Sequence, residues 1–317
     1  MGNLIFAAFS FKKNVQASFQ MLRETPQSIF DTYLKNAAVS LVSAKAHNPN
    51  DDVALIFNCS LPEKWREFFN ENGILLWHVD FNCFVLPDHF CWTQAYYKLC
   101  ATRHVCENTG YERVLMIDCD TVTVRPFDDL WAESDHGLML FTVLHTFSHS
   151  QAKTIQNAMA DIYGTPKRIT HYGGEFIAGK MCFVRELMEH CKTVFDDIAS
   201  GGFKIGKENS DETVLSIAAA KMNGIIAAGA YIFRYTTLPF FYFVSTNYVN
   251  DPVCIWHLPA EKKTGIPWVY NYYIKKKQMP SPKKMAKIFG FPSAKMPGSL
   301  KILCNNMAKR LKEKLGL

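Results

Sequence analysis

Asp118 and Asp120 are the residues whose type and spacing most directly imply chemistry. They lie within residues 110–131, Gly-Tyr-Glu-Arg-Val-Leu-Met-Ile-Asp-Cys-Asp-Thr-Val-Thr-Val-Arg-Pro-Phe-Asp-Asp-Leu-Trp. The apolar run 114–117 reads as a strand buried on both faces. Side chains alternate along extended backbone, so Asp118 and Asp120 share a face while Cys119 points back into the core. Open α/β sheets place their ligands at the carboxyl ends of such strands. Two ionised carboxylates side by side repel unless a cation lies between them. Hard oxygen donors suit Mg²⁺ or Mn²⁺, and such an ion can also hold a substrate diphosphate. An isolated Asp-x-Asp also occurs as a solvated turn, so the flanking elements must carry the argument.

Those elements alternate. Residues 4–9 read as a first central strand, 15–24 as a helix, and 27–46 as a further helix ending in the turn Asn48-Pro49-Asn50. A second strand follows at 53–57. Pro62 opens the next helix and Gly73 ends it, ahead of a third strand at 74–79. Residues 91–107 form an amphipathic helix that feeds the central strand. Beyond the Asp pair come a turn and short helix at 126–131, then a strand at 137–144. This spacing predicts βαβ units and a mostly parallel sheet. Paired glycines at 173–174 permit close backbone approach to a ligand. Ser210 is placed to cap a helix with Asp211 and Glu212 in its first turn, where carboxylates are favoured in any case. Residues 225–233 and 240–249 read as late strands, and a last strand ends at His257. His145, His149 and His171 form no His-x-x-x-His face and read as surface or acceptor-loop residues.

The segment around Asp118 resembles the signature of the GT-A glycosyltransferases, above all the glycogenin and lipopolysaccharide-galactosyltransferase group. The resemblance implies that Asp118 and Asp120 bind Mn²⁺ and the phosphates and ribose of a nucleotide, with Cys119 between them. Other segments follow in family order over roughly residues 3–268. The first strand-loop, Ala7-Ala8-Phe9-Ser10-Phe11-Lys12-Lys13-Asn14-Val15, corresponds to the family's uracil and ribose site. It implies nucleotide contacts from Ala8, Phe9 and Asn14. Lys12 and Val15 replace the family Asp and Tyr, leaving Phe9 or Phe11 to offer a stacking face. Tyr96-Tyr97-Lys98-Leu99 matches the segment whose Lys reaches the donor diphosphate or sugar. The run 171–180 looks like the donor-sugar loop, with Gly174 against the ligand. Ile177 stands where the family has Asn, and Glu175 is the candidate replacement. Asn209-Ser210-Asp211-Glu212 resembles the motif whose residue pair faces the donor's anomeric carbon, which implies catalytic roles for Asp211 and Glu212. The stretch 253–268 resembles the segment that supplies the third metal ligand, here His257. Its basic loop, Lys262, Lys263 and Gly265, would close over the pyrophosphate.

The resemblance therefore implies an α/β fold of GT-A type: a single Rossmann-like, mostly parallel central sheet flanked by helices, with a basic helical C-terminal tail. Residues 1–268 would form the catalytic domain, with a nucleotide-binding half of about 1–131 and an acceptor half of about 132–268; 269–317 would be a basic extension. The implied activity is metal-dependent transfer of a hexose or pentose from a nucleotide-sugar, a UDP-sugar above all, with retention. Acceptors would be a glycan, glycolipid or glycoprotein. A sugar nucleotidyltransferase is the rival enzyme, but it wants a Gly- and Arg-rich loop where this chain has Phe-Ser-Phe-Lys-Lys. A non-catalytic glycan- or membrane-binding protein on the same scaffold is the other rival.

Bulk properties agree. A chain of 317 residues, 48% hydrophobic, is long enough for one large α/β domain or two small ones. It holds no run of 18 apolar residues. Its first ten residues lack a basic region and cleavage site, and read as a strand rather than a signal peptide. Phe6 occupies the position where a myristoylation motif wants Ser or Thr. The ten cysteines make no Cys-x-x-Cys, consistent with buried thiols in a reducing, cytoplasmic compartment. Of the net charge of +6, residues 271–317 carry +11, leaving −5 on the rest. An acidic body argues against nucleic acid, and a basic tail argues for a surface contact. Leu300, Ile302, Leu303, Met307, Leu311 and Leu315 recur at helical spacing among lysines. Such a helix suits either a peripheral contact with anionic lipid or packing on the catalytic body.

Overall fold

The computed structural model describes residues 2–11, 25–86, 93–143, 150–164, 168–200, 210–235, 253–291 and 307. The expected helix at 15–24, the strand at 240–249, His145, His149, Asn14 and most of the tail beyond 291 lie outside them.

Strands β1 (Asn3–Phe9), β2 (Asp52–Phe57), β3 (Leu75–His78) and β4 (Arg113–Ile117) are parallel, in the order β3-β2-β1-β4. The connections between them are helical. α1 (Pro26–His47) precedes β2, and α2 (Glu63–Glu71) ends at Gly73, whose φ of +68° suits glycine alone without strain. A short 3-10 turn leads into α3 (Tyr97–Asn108) ahead of β4. Beyond β4 the sheet continues through β7 (Tyr172–Lys180), β6 (Leu138–Thr142) and β8 (Ile225–Ala227); β7 is antiparallel to both its neighbours.

Alternation along the central strands divides the core in two. Leu4, Phe6, Val114 and Met116 pack under α3, α6 (Met181–Ser200) and α7 (Asp211–Ala219). Ile5, Ala7, Leu115 and Ile117 pack under α1 and α2. This double burial is why β4 reads as continuous hydrophobic sequence.

Three features depart from expectation. The run 172–180 is a central strand, not a loop. Gly173 and Gly174 sit inside it because flanking charged side chains lie against their Cα atoms: a Cβ on Gly174 would fall 2.1 Å from Asp211 Oδ2. Helices α5 (Ser150–Tyr163) and α6 fill stretches for which the motifs predicted no element. Finally, a second, three-stranded sheet accompanies the central one, in the order β5-β10-β9. It comprises β5 (Thr121–Thr123), β9 (Ile232–Arg234) and β10 (Ile255–His257), β10 running antiparallel to β5. Between β4 and β5 lies the Asp118–Asp120 turn, so the chain crosses from one sheet to the other there.

The small sheet has its own core. Trp256, Tyr235 and Val122 pack with Ile266 and Val269 of α8 (Gly265–Lys276) and with Met285, Ala286 and Phe289 of α9 (Pro282–Ile288). α8 crosses position 268, and residues as far as Phe291 share this core. Among the described residues no helix is long and apolar enough to cross a membrane.

Candidate active site

Asp118 follows the last residue of β4, and its N–H donates to the Glu175 carbonyl of β7 at 3.1 Å. The next two residues turn the chain out of the sheet. Cys119 is buried, and its thiol donates to the Ala8 carbonyl at the end of β1, 3.3 Å away. From beneath, Ser40 of α1 and Thr121 share a 2.7 Å hydrogen bond, and the Thr121 hydroxyl donates to the Asp118 carbonyl at 2.8 Å. Ser43 accepts from the Thr123 N–H at 2.9 Å. These buried hydroxyls on an otherwise apolar helix satisfy backbone groups on the edge strand β5. The Asp pair is thereby fixed from both sheets and from α1.

β10 brings His257 to the pair. Its register places His257 opposite Thr121, and the Leu258 N–H donates to the Asp120 carbonyl at 2.9 Å. The His257 Nε2 lies 3.3 Å from Asp120 Oδ2 and 3.9 Å from Asp118 Oδ2. One ligand atom from each of Asp118, Asp120 and His257 falls within 4.8 Å of the others. Asp118 Oδ1 and Asp120 Oδ2 are buried, and both have ion-pair partners but no well-directed hydrogen bond. Two hard carboxylates and an imidazole, with lone pairs left over, are a fitting donor set for Mn²⁺ or Mg²⁺.

Cations already surround these carboxylates. Lys98, on the first turn of α3, is buried; its Nζ lies 3.2 Å from Asp118 Oδ1 and 3.0 Å from Asp211 Oδ2. Lys262 reaches Asp120 Oδ2 at 3.0 Å, whereas the neighbouring Lys263 is exposed. Burial alone would push Asp120 up, but Lys262 and His257 overcome it and hold the carboxyl well below its usual range. Burial dominates at Asp118, whose pKa is raised against the opposing pull of Lys98. Burial would lower the His257 pKa, yet Asp120 and Glu175 raise it to about 9.

α7 points its first turn at the same cleft. Ser210 is its N-cap residue but makes no capping hydrogen bond with its side chain. Burial raises the Asp211 carboxyl to about 6 despite Lys98. Glu212 behaves oppositely. Burial is outweighed by the hydrogen bond to His171 and by Arg234, and its pKa is lowered. The His171 Nε2 lies 2.9 Å from Glu212 Oε2, and Arg234 NH2 lies 3.3 Å from Oε1. The expectation for His171 is thus corrected: it is a buried partner of Glu212, not a surface residue.

Glu175 is likewise no loop carboxylate reaching for a sugar. It is 1% exposed, joined to Arg234 by two 2.7 Å hydrogen bonds, and 3.0 Å from His257 Nδ1. Arg234 was not anticipated at all. Its signal was a charge closing the apolar strand Ile232-Phe233-Arg234, where burial demands a partner. Phe9 is 3% exposed and edge-on to Phe30, so its ring is core; Phe11, half-buried against the same Phe30, is the more open of the two. Gly265 starts α8 where a Cβ would fall 2.6 Å from the Phe289 ring.

A mostly parallel sheet flanked by helices, with a carboxylate pair at the end of a central strand, defines the GT-A architecture. Solved structures of the galactosyltransferase LgtC share it. An active-site variant of LgtC matches with a TM-score of 0.55 and 13% identity, covering 89% of this chain and 99% of that one. LgtC in complex with donor and acceptor sugar analogues matches with a TM-score of 0.52 and 14% identity, covering 94% and 99%. At such identities the likeness is one of fold. No family model and no curated protein sequence matches the chain.

Proposed function

We propose that this protein is a metal-dependent glycosyltransferase that moves a hexose or pentose from a nucleotide-sugar, a UDP-sugar, to a glycan, glycolipid or glycoprotein acceptor, with retention. The observation that carries the reading is the convergence of Asp118, Asp120 and His257 at the carboxyl end of central strand β4, with Asp211 of α7 joined to Asp118 through Lys98. The fold shared with LgtC, a galactosyltransferase studied with donor and acceptor sugar analogues, supports it.

In this reading Asp118, Asp120 and His257 hold Mn²⁺ or Mg²⁺, which when bound stabilises the charge of a departing diphosphate. Lys262, and Lys98 from the opposite side, add fixed positive charge where that diphosphate collects electrons. Lys263 and Gly265 belong to the loop that closes over it, while Ala8, Asn14, Cys119 and Gly174 belong to the nucleotide and donor-sugar contacts, with Phe11 rather than the core residue Phe9 offering the stacking face. The half of about 1–131 carries the nucleotide, and the half of about 132–268 carries the acceptor together with the residues that reach the donor's diphosphate and sugar. Glu212, kept ionised by His171 and Arg234, is suited to stabilise an oxocarbenium-like centre or to attack it. Asp211, sharing Lys98 with Asp118, fixes that lysine between the two halves of the site.

The exposed lysines of α9, 283, 284 and 287, lie opposite its buried Met285, Ala286 and Phe289. We read them as part of a peripheral contact with anionic lipid on the cytoplasmic side. Exposed Cys182 departs from the expectation of buried thiols.

The test is donor hydrolysis. With Mn²⁺, the protein should release UDP and free sugar from a UDP-sugar, and Asp120→Asn should abolish that release. Binding without turnover would favour a non-catalytic scaffold. Unchanged turnover in Asp120→Asn would overturn the site.

A further inference from the structure

Behind the metal-ligand candidates lies a second layer of charge that the proposed chemistry leaves unused. Glu175 projects from the middle of β7, a strand whose other interior residues are glycine or apolar, and is 1% exposed. An ionised carboxylate that deep is costly unless every oxygen is matched. Both are. Oε1 accepts from Arg234 Nε at 2.7 Å and faces His257 Nδ1 at 3.0 Å, and Oε2 accepts from Arg234 NH2 at 2.7 Å. The backbone is shaped for the pair: a Cβ on Gly173 would meet Glu175 Oε2 at 2.0 Å and Arg234 NH2 at 2.8 Å. The same guanidinium reaches Glu212 Oε1 at 3.3 Å.

We propose that Glu175 and Arg234 are positioning residues: Glu175 orients the imidazole of His257, and Arg234 locks Glu175 and Glu212 into one frame. The inference rests on the metal site proposed above. An imidazole has two nitrogens, and only the one without a proton can bind a metal. Nδ1–H donates to Glu175 Oε1, which leaves Nε2 directed at Asp118 and Asp120. A carboxylate behind a metal-binding histidine also raises the basicity of the ligand nitrogen. Arg234 supplies the planar two-point fork that fixes the carboxylate, a geometry lysine cannot reproduce. Because the fork extends to Glu212, the metal site and the proposed catalytic carboxylate are held by one side chain.

Titration calorimetry with Mn²⁺ alone, on the full chain, tests this without reference to turnover. Glu175→Gln keeps the side chain's shape and should bind Mn²⁺ about 10- to 100-fold more weakly. Arg234→Lys should weaken Mn²⁺ binding in the same direction. It should also lower the rate constant of donor hydrolysis at saturating Mn²⁺, since Glu212 loses its fixed partner. A purely structural role would lower the unfolding temperature without moving the Mn²⁺ affinity of the folded protein. If Glu175→Gln fails to fold, Arg234→Lys decides alone. Wild-type affinity, within twofold, in the folded variants overturns the proposal while leaving the metal site standing. A wild-type protein that binds no Mn²⁺ overturns both.

Discussion

Metal binding here should expel a proton from His257. In the metal-free protein its imidazole lies between Asp120 and Glu175, which raise its pKa to about 9 against the effect of burial. At pH 7 about 99% of molecules then carry the imidazolium. A metal requires the neutral ring, so each ion bound should release close to one proton. Below pH 9 the affinity should rise about tenfold per pH unit, or about 30-fold between pH 6.5 and 8.0, equivalent to about 2 kcal/mol. Calorimetric titration with Mn²⁺ in two buffers of different ionisation enthalpy reads the proton number directly. Stability should show the matching sign. His257 is raised in the folded state, so its contribution is complete below pH 6.5 and is lost as pH climbs through 9. The unfolding temperature of chelator-treated protein should therefore fall between pH 7 and 9. Zero proton release at pH 7, with an affinity flat in pH, would refute the claim that a protonated His257 becomes a ligand.

Lys262 should act with opposite sign on the two ligands. Its Nζ lies 3.0 Å from Asp120 Oδ2, so its charge competes with that of a metal held there. Lys262→Met should therefore tighten Mn²⁺ alone by roughly tenfold and weaken UDP by as much, given about 1.5–3 kcal/mol for a charged hydrogen bond. Calorimetry with each ligand separately checks both signs, and a variant in which both weaken refutes the competition. Gly174→Ala would push a methyl to 2.1 Å from Asp211 Oδ2 and 2.9 Å from Lys98 Nζ. Displacing that pair by about 1 Å should cost about 100-fold in donor hydrolysis while circular dichroism stays native. Unaltered hydrolysis would remove Lys98 and Asp211 from the mechanism.

How much of this site can be read from residues alone depends on whether its contacts are local. The run ending in Asp118-Cys119-Asp120 is legible because one strand fixes both side-chain directions. His257 is legible only through the resemblance of its segment, because a histidine ending a strand is by itself usually structural. The glycine pair at 173–174 is misleading. Glycine usually marks a loop, but in β7 it makes room for the charged side chains of Asp211 and Arg234 arriving from other elements. α6 carries Val184, Leu187, Met188, Cys191, Val194, Phe195 and Ile198 at helical spacing, a pattern that by itself marks an amphipathic helix. Arg234 and Glu175 show no spacing signal, since 59 residues separate the two halves of their ion pair. Only a charge inside the apolar run of β7, and another closing β9, hint that a partner exists.

The charge balance of the cleft explains why so many ionisable groups are tolerated there. Five carboxylates, Asp118, Asp120, Glu175, Asp211 and Glu212, meet four cations, Lys98, Arg234, Lys262 and protonated His257. Each carboxylate touches at least one cation, so the metal-free cleft is close to neutral and can remain folded. A hydrophobic replacement of the set would be as stable or more so. The arrangement makes sense as a site prepared for exchange. In the proposed reading, a divalent cation held by Asp118, Asp120 and His257 would take the place of the His257 proton and of the contact with Lys262, leaving that lysine for an anionic diphosphate. Arg234 and Glu175, locked to each other, are the part that does not exchange. Their rigidity lets the other ion pairs be remade without the cleft losing its shape.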